Sequence, residues 1–337
     1  MPDPTHRNIV IDKFGPASVL TLREITARAP GDDEVAIDVA YSGLNFADIH
    51  MRLGLYPDAP KRPFVPGYEV SGKVAHVGKN VRDLQPGDAV LAGTFFGGYA
   101  STVTIPAQQV LKLPAAYDLA AGAALPVACF TAQLAVVEMA RVRRGDRVGI
   151  ERAAGGVGVI AVQMARHLGA EVIGLTSSPH KKSLITGLGA TAYTVDEFRA
   201  DPKLTGYDFI LNSSGGASIE WQRARLGLTG RMVCIGMSSL IQDGKRSLVR
   251  IATALMRMPK ISVLKLTGAN TGIFGLNSLH VLQDPAWAAR LTRSLAAVDQ
   301  IGVKPHIGKV FPAAEVAAAH AFLETKQATG KVLLSWN

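Results

Sequence analysis

A glycine-rich turn between a short strand and a helix is the stretch of this chain whose chemistry is easiest to predict. Val148 and Ile150 alternate with polar or small neighbours, as in a strand, and residues 159–168 place apolar side chains at helical spacing. The turn between them comprises Ala153, Ala154, Gly155, Gly156, Val157 and Gly158. It matches G-x-G-x-x-G with alanine in the first glycine position, and backbone N–H groups at such a helix N-terminus attract phosphate. The sequence therefore predicts that this turn holds the pyrophosphate of a dinucleotide.

The residues after the second predicted strand, 172–175, indicate which dinucleotide binds. A site for NAD usually has an Asp or Glu there, which holds the ribose 2′-hydroxyl. This chain has hydroxyl and ammonium groups instead, on Thr176, Ser177, Ser178, Lys181 and Lys182. Because such groups attract a 2′-phosphate and a carboxylate repels it, the segment favours NADPH over NADH. The alternative interpretation is that the two lysines merely begin a solvated helix.

The composition is typical of a soluble globular enzyme and narrows the choice of partners. The 337 residues carry a net charge of +9 without any run of five basic residues, so we expect no nucleic-acid partner. Cys129 and Cys234 lie in apolar segments and cannot form a zinc knuckle, so we expect buried thiols. The N-terminus has no apolar signal core, and the uncharged segment 119–137 is broken by Pro126, which favours a core helix over a membrane span. We expect a cytoplasmic protein without a membrane partner.

The chain changes character along its length, which indicates two domains. Residues 1–122 are β-rich, since segments such as 34–40 and 70–77 alternate polar and apolar residues between Gly- and Pro-rich turns. Residues 123–268 alternate strand and helix patterns, which predicts an α/β fold with a doubly wound parallel sheet. Residues 269–337 contain two helical patterns and a last strand at 330–334, and we expect them to return to the first domain.

Ligands of a doubly wound sheet bind beyond the carboxyl ends of its strands. Thr176 follows the second predicted strand there. Asn212 ends another buried strand, and Gly236 ends the next. The sequence therefore places these three residues at one edge of the sheet, beside the predicted dinucleotide.

Six segments together resemble the medium-chain dehydrogenase/reductase superfamily, and within it the zinc-free quinone oxidoreductase branch. That branch includes relatives of the vesicle amine transport protein, and the polyketide enoyl reductases are similar. The segments are SGLNFADIHMRLGLYP (42–57), PGYEVSGKV (66–74), LPVACFTA (125–132), AAGGVGVIAVQMARHLGA (153–170), DFILNSSGG (208–216) and TGKVLL (329–334). The resemblance implies a GroES-like β-rich catalytic domain (1–122 and 269–337) around a Rossmann NADP-binding domain (123–268). It also implies a homodimer.

The resemblance identifies the residues at the positions where related enzymes bind zinc, so their ability to bind the metal can be judged one by one. The positions that hold catalytic zinc in the alcohol dehydrogenases of this superfamily correspond here to Asn45, Tyr68 and Val127. Zinc prefers thiolate, imidazole or carboxylate ligands, and Glu69 alone cannot hold it. We therefore expect no metal.

Without a Lewis acid, a hydride needs an acceptor that is already electrophilic, such as a quinone or an alkene conjugated to a carbonyl. The site must then supply hydrogen-bond donors to the developing enolate and a proton. By resemblance, Asn45 orients the nicotinamide and Tyr56 donates a hydrogen bond or a proton, the alternative being an aromatic wall. Tyr68 is a second candidate donor. Asp48 we interpret as a capping residue of a short helix.

The resemblance also implies residues that bind the cofactor. It places Asn212, Gly236, Asn270 and Phe274 near the nicotinamide, and Lys331 either at the cofactor or in solvent before an edge strand. Lys181 has two competing roles, binding of the 2′-phosphate and protonation of the substrate, and we favour the first. Arg152, in a pair that departs from the family pattern, either meets the pyrophosphate or only pairs with Glu151.

Three functions follow, and the first is favoured. The chain is expected to be an NADPH-dependent reductase whose small-molecule substrate has a conjugated carbonyl. A second hypothesis is a biosynthetic tailoring enzyme that reduces or cyclises a polyketide-like enone. A third, of another class, is a cofactor-bound protein that associates with RNA or membranes, which the absence of a basic cluster and of an aromatic stacking platform disfavours.

Overall fold

The computed structural model describes residues 6–26, 28–237 and 259–336. Fifteen strands lie within these ranges. They are β1 (His6–Ile11), β2 (Leu20–Ile25), β3 (Glu34–Leu44), β4 (Glu69–Val77), β5 (Ala89–Gly93), β6 (Thr102–Pro106), β7 (Val110–Lys112), β8 (Arg147–Glu151), β9 (Glu171–Thr176), β10 (Thr191–Thr194), β11 (Tyr207–Asn212), β12 (Leu226–Cys234), β13 (Gly272–Gly275), β14 (Ile307–Pro312) and β15 (Lys331–Ser335).

Eleven α-helices lie within the same ranges. They are α1 (Phe46–Leu53), α2 (Leu119–Ala124), α3 (Pro126–Ala132), α4 (Gly156–His167), α5 (Lys182–Gly187), α6 (Val195–Ala200), α7 (Ser218–Arg223), α8 (Val263–Ala269), α9 (Ser278–Leu282), α10 (Pro285–Ala296) and α11 (Val316–Glu324). A π-helical segment, Gln133–Met139, follows α3 directly.

The described residues divide into two compact units. Unit 1 comprises those up to Val127 and from Lys304 onward, and unit 2 those from Ala128 to Val303. Residues 269–303 therefore lie in unit 2, whereas the resemblance implied that they belong to the catalytic domain. The reason is that β13 pairs with β12 in the parallel sheet. A strand of four residues is too short for this pairing to be predicted from its sequence.

Unit 1 is built on a seven-stranded sheet with the order β14-β15-β3-β4-β5-β7, in which β6 also pairs with β3. The strands predicted at 34–40, 70–77 and 330–334 are confirmed. β15 lies between β14 and β3, so the expectation that Lys331 precedes an edge strand is wrong. Its central position places β15 beside β3 and one strand away from β4, which begins with Glu69.

Unit 2 is built on a parallel six-stranded sheet with the order β10-β9-β8-β11-β12-β13. The order reverses between β8 and β11, and this is the switch point where such sheets bind ligands. The doubly wound fold predicted from the alternation of strands and helices is confirmed. The core beneath the sheet includes Phe198, Tyr207 and Met232, all buried.

The apolar segment 119–137 forms three short elements instead of the single core helix that we predicted. The Asp118 carboxylate accepts a hydrogen bond from Ala121 N (2.7 Å) and begins α2. α3 then starts at Pro126, a residue that fits the first helical position. Among the residues that the structure describes, no helix combines the length and the apolar character needed to cross a lipid bilayer.

Candidate functional site

The glycine-rich turn of unit 2 has the geometry of a phosphate-binding turn. Gly155 is the N-cap of α4, no side chain caps it, and the first turn of the helix contains no acidic residue. The carbonyl of Arg152 accepts a hydrogen bond from Gly155 N (2.8 Å) and lies where a Cβ on Gly158 would be. Ala153 N binds the carbonyl of Leu175 (3.0 Å), which fixes the turn against β9. The predicted turn is therefore confirmed as a structure, and its helix N-terminus suits an anion.

The residues predicted to bind the 2′-phosphate, at and after the end of β9, differ in their burial and in their contacts. Thr176 is buried, and its hydroxyl accepts a hydrogen bond from Ser178 N (3.2 Å), so it shapes the turn. Ser177 is exposed. Lys181 is buried, with 6% of its surface exposed, whereas Lys182 begins α5 and forms an ion pair with Glu197. The alternative interpretation, a solvated helix start, thus applies to Lys182 and is wrong for Lys181.

Glu151 is a residue of this region whose role the sequence analysis missed. Its buried carboxylate accepts hydrogen bonds from Ser213 N (2.8 Å), Ser214 N (2.9 Å) and the Ser214 hydroxyl (2.7 Å). It therefore connects the end of β8 to the loop after β11, across the switch point. The sequence feature that could have indicated this role is a carboxylate within an apolar strand, directly before the glycine-rich turn.

Asn212 and Gly236 lie at the carboxyl ends of β11 and β12, as predicted. The Asn212 amide donates to the Ser218 hydroxyl and to Gln222 Oε1 (both 2.8 Å), and its oxygen accepts from Gly215 N (2.9 Å). Both N–H donors of this side chain thus hold the loop. The carbonyl of Gly236 lies 2.8 Å from where a Cβ on Gly215 would be, so the two loops adjoin.

The structure does not bring Asn270 to this edge. Asn270 ends α8 in the left-handed conformation (φ 50°), and its carbonyl accepts from Thr229 N (2.9 Å). Because Gly272 is paired with Arg231 in a parallel register, Asn270 lies at the amino end of β13, opposite the edge of Gly236. Phe274, paired with Val233, is nearer the carboxyl end and is partly exposed.

A buried group of polar side chains in unit 1 surrounds Glu69, and we call it the Glu69 cluster. Lys331 Nζ forms an ion pair with Glu69 and donates to Asn45 Oδ1 (2.6 Å). Asn45 Nδ2 donates to Glu69 Oε1 (2.9 Å), and Val127 N donates to Glu69 Oε2 (2.8 Å). Lys331 is only 4% exposed, so the alternative of a solvated lysine is wrong, and its contact with the cofactor stays a prediction.

The two candidate tyrosines of unit 1 lie together. The rings of Tyr56 and Tyr68 meet edge to face with centroids 6.3 Å apart, and the Tyr68 hydroxyl donates a hydrogen bond to Met51 Sδ (3.9 Å). Phe96 packs against Tyr68 at 5.3 Å. Burial raises the pKa of each hydroxyl above its usual value, so both remain protonated and able to donate at neutral pH.

Asp48 caps α1, as interpreted from the sequence, and it is also fully buried. Its Oδ2 accepts from Asn45 N (2.7 Å) and from the Tyr99 hydroxyl (3.0 Å), whereas Oδ1 has no hydrogen-bond partner among the described residues. Desolvation raises its pKa to about 7, against the opposing effects of these hydrogen bonds and of the Lys331 charge. This carboxyl can therefore hold a proton near neutral pH.

The network continues from Asp48 through buried groups. His320 Nε2 lies 3.2 Å from the Tyr99 hydroxyl and its Nδ1 lies 3.4 Å from an Arg52 nitrogen. Burial, and then the Arg52 charge, lower the pKa of His320 to about 3, so the ring is neutral. The buried Arg52 forms an ion pair with the partly exposed Glu324, which holds α1 against α11.

The Glu69 cluster does not fit a zinc ion. The three positions that carry zinc ligands in alcohol dehydrogenases hold an amide (Asn45), a phenol (Tyr68) and an apolar residue (Val127), and the Lys331 ammonium repels a cation. Within residues 6–26, 28–237 and 259–336, no group of three or more His, Cys, Asp or Glu side chains is placed to hold a metal ion. The thiol of Cys234 has a pKa raised to about 11 by burial, and it is free.

Comparison with known proteins places this arrangement among dehydrogenases. The family described as alcohol dehydrogenase GroES-like domain matches residues 31–115, and the family described as zinc-binding dehydrogenase matches residues 188–334. The rat synaptic vesicle membrane protein VAT-1 homolog is 32% identical over 98% of this chain and 84% of its own. Human quinone oxidoreductase is 28% identical over 97% of both chains.

Solved structures give the same result. The CurK enoyl reductase superposes with a TM-score of 0.81 at 28% identity, covering 98% of this chain and 99% of that one. A mycobacterial protein complexed with NADPH superposes with a TM-score of 0.84 at 26% identity, with the same coverage. The predicted combination of a GroES-like and a Rossmann domain is confirmed.

The buried carboxyl of Asp48 generates a prediction about stability and pH. A folded-state pKa near 7, above the unfolded value, means that the folded protein binds the extra proton, so ionisation destabilises it as pH rises from about 4 to 7. The Asp48→Asn variant does not titrate there. We expect its unfolding free energy, relative to wild type, to increase by about 3 kcal/mol between pH 5 and pH 8. Denaturant unfolding at a series of pH values measures this difference.

The matched control is Glu34→Gln. The Arg28 side chain and Gly31 N lower the pKa of the Glu34 carboxyl to about 2, so its titration is complete below pH 5. The difference between this variant and wild type should stay constant from pH 5 to pH 8. A constant difference for Asp48→Asn as well would show that Asp48 is ionised throughout.

Proposed function

Because the chain belongs to the medium-chain dehydrogenase/reductase superfamily, in its quinone oxidoreductase-like branch, we propose that it is an NADPH-dependent reductase that works without zinc. The proposed acceptors are quinones and alkenes conjugated to a carbonyl. That the chain is an oxidoreductase follows from the family. The cofactor, the absence of a metal step and the class of acceptor are the proposal.

The Glu69 cluster is the observation that supports a reaction without zinc. Its Lys331 ammonium already satisfies the Glu69 carboxylate, and Asn45 is bound to both. A zinc ion would require these groups to separate and would leave a buried ammonium without its counter-ion, which is costly. Polarisation of the substrate must then come from its own conjugation and from hydrogen-bond donors.

Unit 2 fits NADPH by the chemistry of its own groups. The N-terminus of α4, which no side chain caps, the close packing at Gly158 and the buried Lys181 suit phosphates. The comparison structure bound to NADPH has the same fold. When bound, this cofactor supplies a hydride, and the protein supplies position and charge. Gly236 and the loop held by Asn212 and Glu151 shape the edge that receives it.

Unit 1 supplies the donors in this proposal. We assign Tyr56 to the carbonyl oxygen of the acceptor, because burial raises the pKa of its hydroxyl and keeps it protonated. Asn45 is assigned to the nicotinamide, with its amide orientation fixed by Lys331 and Glu69. Asp48, with a pKa of about 7, can hold a proton next to this group.

A second candidate function is a tailoring enzyme that acts on a polyketide-like enone. It is favoured by the structural similarity to the CurK enoyl reductase over 98% of the chain. An enoyl thioester is also an alkene conjugated to a carbonyl, so the same donors would serve it. The two candidates differ in substrate, and a non-redox cyclisation would leave NADPH unconsumed.

We further propose that the chain forms a homodimer through the outer edge of β13. Within the described residues β13 pairs with β12 alone, so one side of its backbone has no strand partner among them. Apolar side chains nearby are unusually exposed: Leu228 by 76%, Val263 by 75% and Leu264 by 84%. A two-fold axis at this edge would pair β13 with its copy and cover these residues.

The proposed reaction predicts a metal-independent activity. Purified protein should consume NADPH, seen as loss of the reduced nicotinamide absorbance, with a 1,4-quinone or a conjugated enone. Dialysis against a chelator should change the rate by less than about twofold, because no step uses a Lewis acid. Elemental analysis of the same sample gives its zinc content.

A 2-enoyl thioester assayed beside the quinone separates the two candidates. Faster turnover of the thioester favours the tailoring enzyme, and a product of unchanged mass with NADPH intact identifies cyclisation. Loss of activity on chelation, restored by zinc, would contradict the proposal.

The role of Tyr56 is tested by Tyr56→Phe, which keeps the ring and removes the donor. If the hydroxyl stabilises the developing oxyanion or protonates it, kcat should fall by about a hundredfold with KM little changed. Tyr68→Phe is the comparison, since it removes only a hydroxyl that donates to Met51 Sδ and should cost about tenfold or less. A larger loss of kcat for Tyr68→Phe would show that Tyr68 is the donor. No loss for either variant would show that Tyr56 acts only as an aromatic wall of the site.

The dimer is tested by light scattering after gel filtration. Wild type should have twice the mass of the chain, and Leu264→Lys should be a monomer, because a buried ammonium would oppose the interface. Leu22→Lys, on a partly exposed leucine of unit 1, is the control and should stay dimeric. A monomeric wild type would exclude this interface.

A further inference from the structure

Glu151 places a buried negative charge at the switch point of the parallel sheet of unit 2. It ends β8, and only 4% of its surface is exposed. Its Oε2 accepts hydrogen bonds from Ser213 N (2.8 Å) and Ser214 N (2.9 Å), and its Oε1 accepts one from the Ser214 hydroxyl (2.7 Å). All three groups donate, as an ionised carboxylate, which can only accept, requires. The anion is therefore directed towards the loop that follows β11.

The charge of Glu151 also acts on residues that do not bind its carboxylate. Burial, and then the Glu151 charge, raise the pKa of the Cys234 thiol to about 11, and Cys234 ends β12. The same charge raises the pKa of Arg152, against the larger, lowering effect of burial. Because β8, β11 and β12 are successive strands of the sheet, the electrostatic effect of this anion extends along their carboxyl ends.

In a doubly wound sheet a dinucleotide binds across the carboxyl ends of the strands, on both sides of the switch point. Its pyrophosphate lies at the glycine-rich turn, and its adenosine ribose lies at the end of the second strand, which is β9 here. The half that carries the nicotinamide therefore extends to the other side, over the ends of β11 and β12. Glu151 directs its carboxylate to that same side, through Ser213 and Ser214.

The negative charge is not needed to hold this loop. An amide oxygen also has two lone pairs, so a glutamine could accept from both backbone N–H groups, and it would not repel the phosphates of a dinucleotide. The charge does distinguish the two redox forms of the cofactor. The oxidised nicotinamide ring is a cation and the reduced ring is neutral, so a nearby anion stabilises only the oxidised form. Its repulsion of the phosphates is the same for both forms.

We propose that Glu151 makes bound NADPH a stronger reductant, because its charge stabilises NADP⁺ relative to NADPH in the site. This inference rests on the cofactor of the proposed function. A cofactor that is bound more tightly in its oxidised form has a lower reduction potential, by about 30 mV for each tenfold in the ratio of the two dissociation constants of this two-electron couple. Conjugated alkenes are weaker oxidants than quinones, so the effect of Glu151 favours the reduction of conjugated alkenes in particular.

The experiment measures the dissociation constants of NADP⁺ and NADPH by calorimetry, for wild type and for Glu151→Gln. The amide can keep the hydrogen bonds of the carboxylate, with its oxygen on the N–H groups of Ser213 and Ser214 and its nitrogen on the Ser214 hydroxyl. We expect the ratio of the NADPH to the NADP⁺ dissociation constant to fall by about tenfold in this variant, which raises the potential of the bound couple by about 30 mV.

Two further variants separate the charge of Glu151 from its shape. Glu151→Asp keeps the charge on a shorter side chain, so it should keep the wild-type ratio even where it weakens the binding of both forms. Asp208→Asn removes a carboxylate that also accepts from a backbone N–H group, that of Arg147 (2.8 Å), but near the amino end of β11. Four strand residues, about 13 Å, separate it from Asn212, so its ratio should change by less than about twofold.

An equal loss of affinity for NADP⁺ and NADPH in Glu151→Gln would show that Glu151 acts only through the loop, and would overturn the inference. A ratio that falls as far in Glu151→Asp as in Glu151→Gln would also overturn it. Failure of the proposed function gives a different result, because the ratio would still follow the charge while no quinone, enone or enoyl thioester oxidised NADPH. Wild type that bound neither form of the cofactor would contradict both.

Discussion

The ion pair between Lys331 and Glu69 is the interaction on which the structure of unit 1 depends. Both side chains are buried, and a buried charge is tolerated only beside an opposite one. Because Lys331 begins β15 and Glu69 begins β4, the pair requires the last strand of the chain to join the sheet of its early strands. Asn45 binds both partners, so the same contacts fix the start of α1 and the residues that follow it.

In unit 2 the site residues are instead positioned at the carboxyl ends of the parallel strands. Glu151 connects β8 with the loop after β11, and Asn212 closes that loop upon Gly215. The switch point of the sheet is therefore shaped by hydrogen bonds within the protein. A site shaped in this way does not have to order itself when a ligand binds, which favours affinity.

Local patterns predicted the features that depend on neighbouring residues. The glycine-rich turn, the parallel strands and the capping role of Asp48 follow from periodicity and spacing within one segment, and all are observed. The alternative of a solvated Lys331 is wrong because its partner, Glu69, is distant in sequence, and a lysine before a strand usually faces water. The position of Asn270 depended on the register of β13, a strand too short to show a pattern.

The Glu69 cluster also bears on the direction of the proposed chemistry. Zinc and an ammonium group both bring positive charge, but zinc accepts a lone pair and lowers the pKa of a bound alcohol, whereas an ammonium only donates hydrogen bonds. Here the Lys331 ammonium is bound to Glu69 and Asn45, so its hydrogen bonds are made to groups of the protein and not to a substrate. Oxidation of an alcohol needs its proton removed first. Reduction of an alkene conjugated to a carbonyl needs a donor for the oxygen and then a proton, and the protonated hydroxyls of Tyr56 and Tyr68 are donors of that kind.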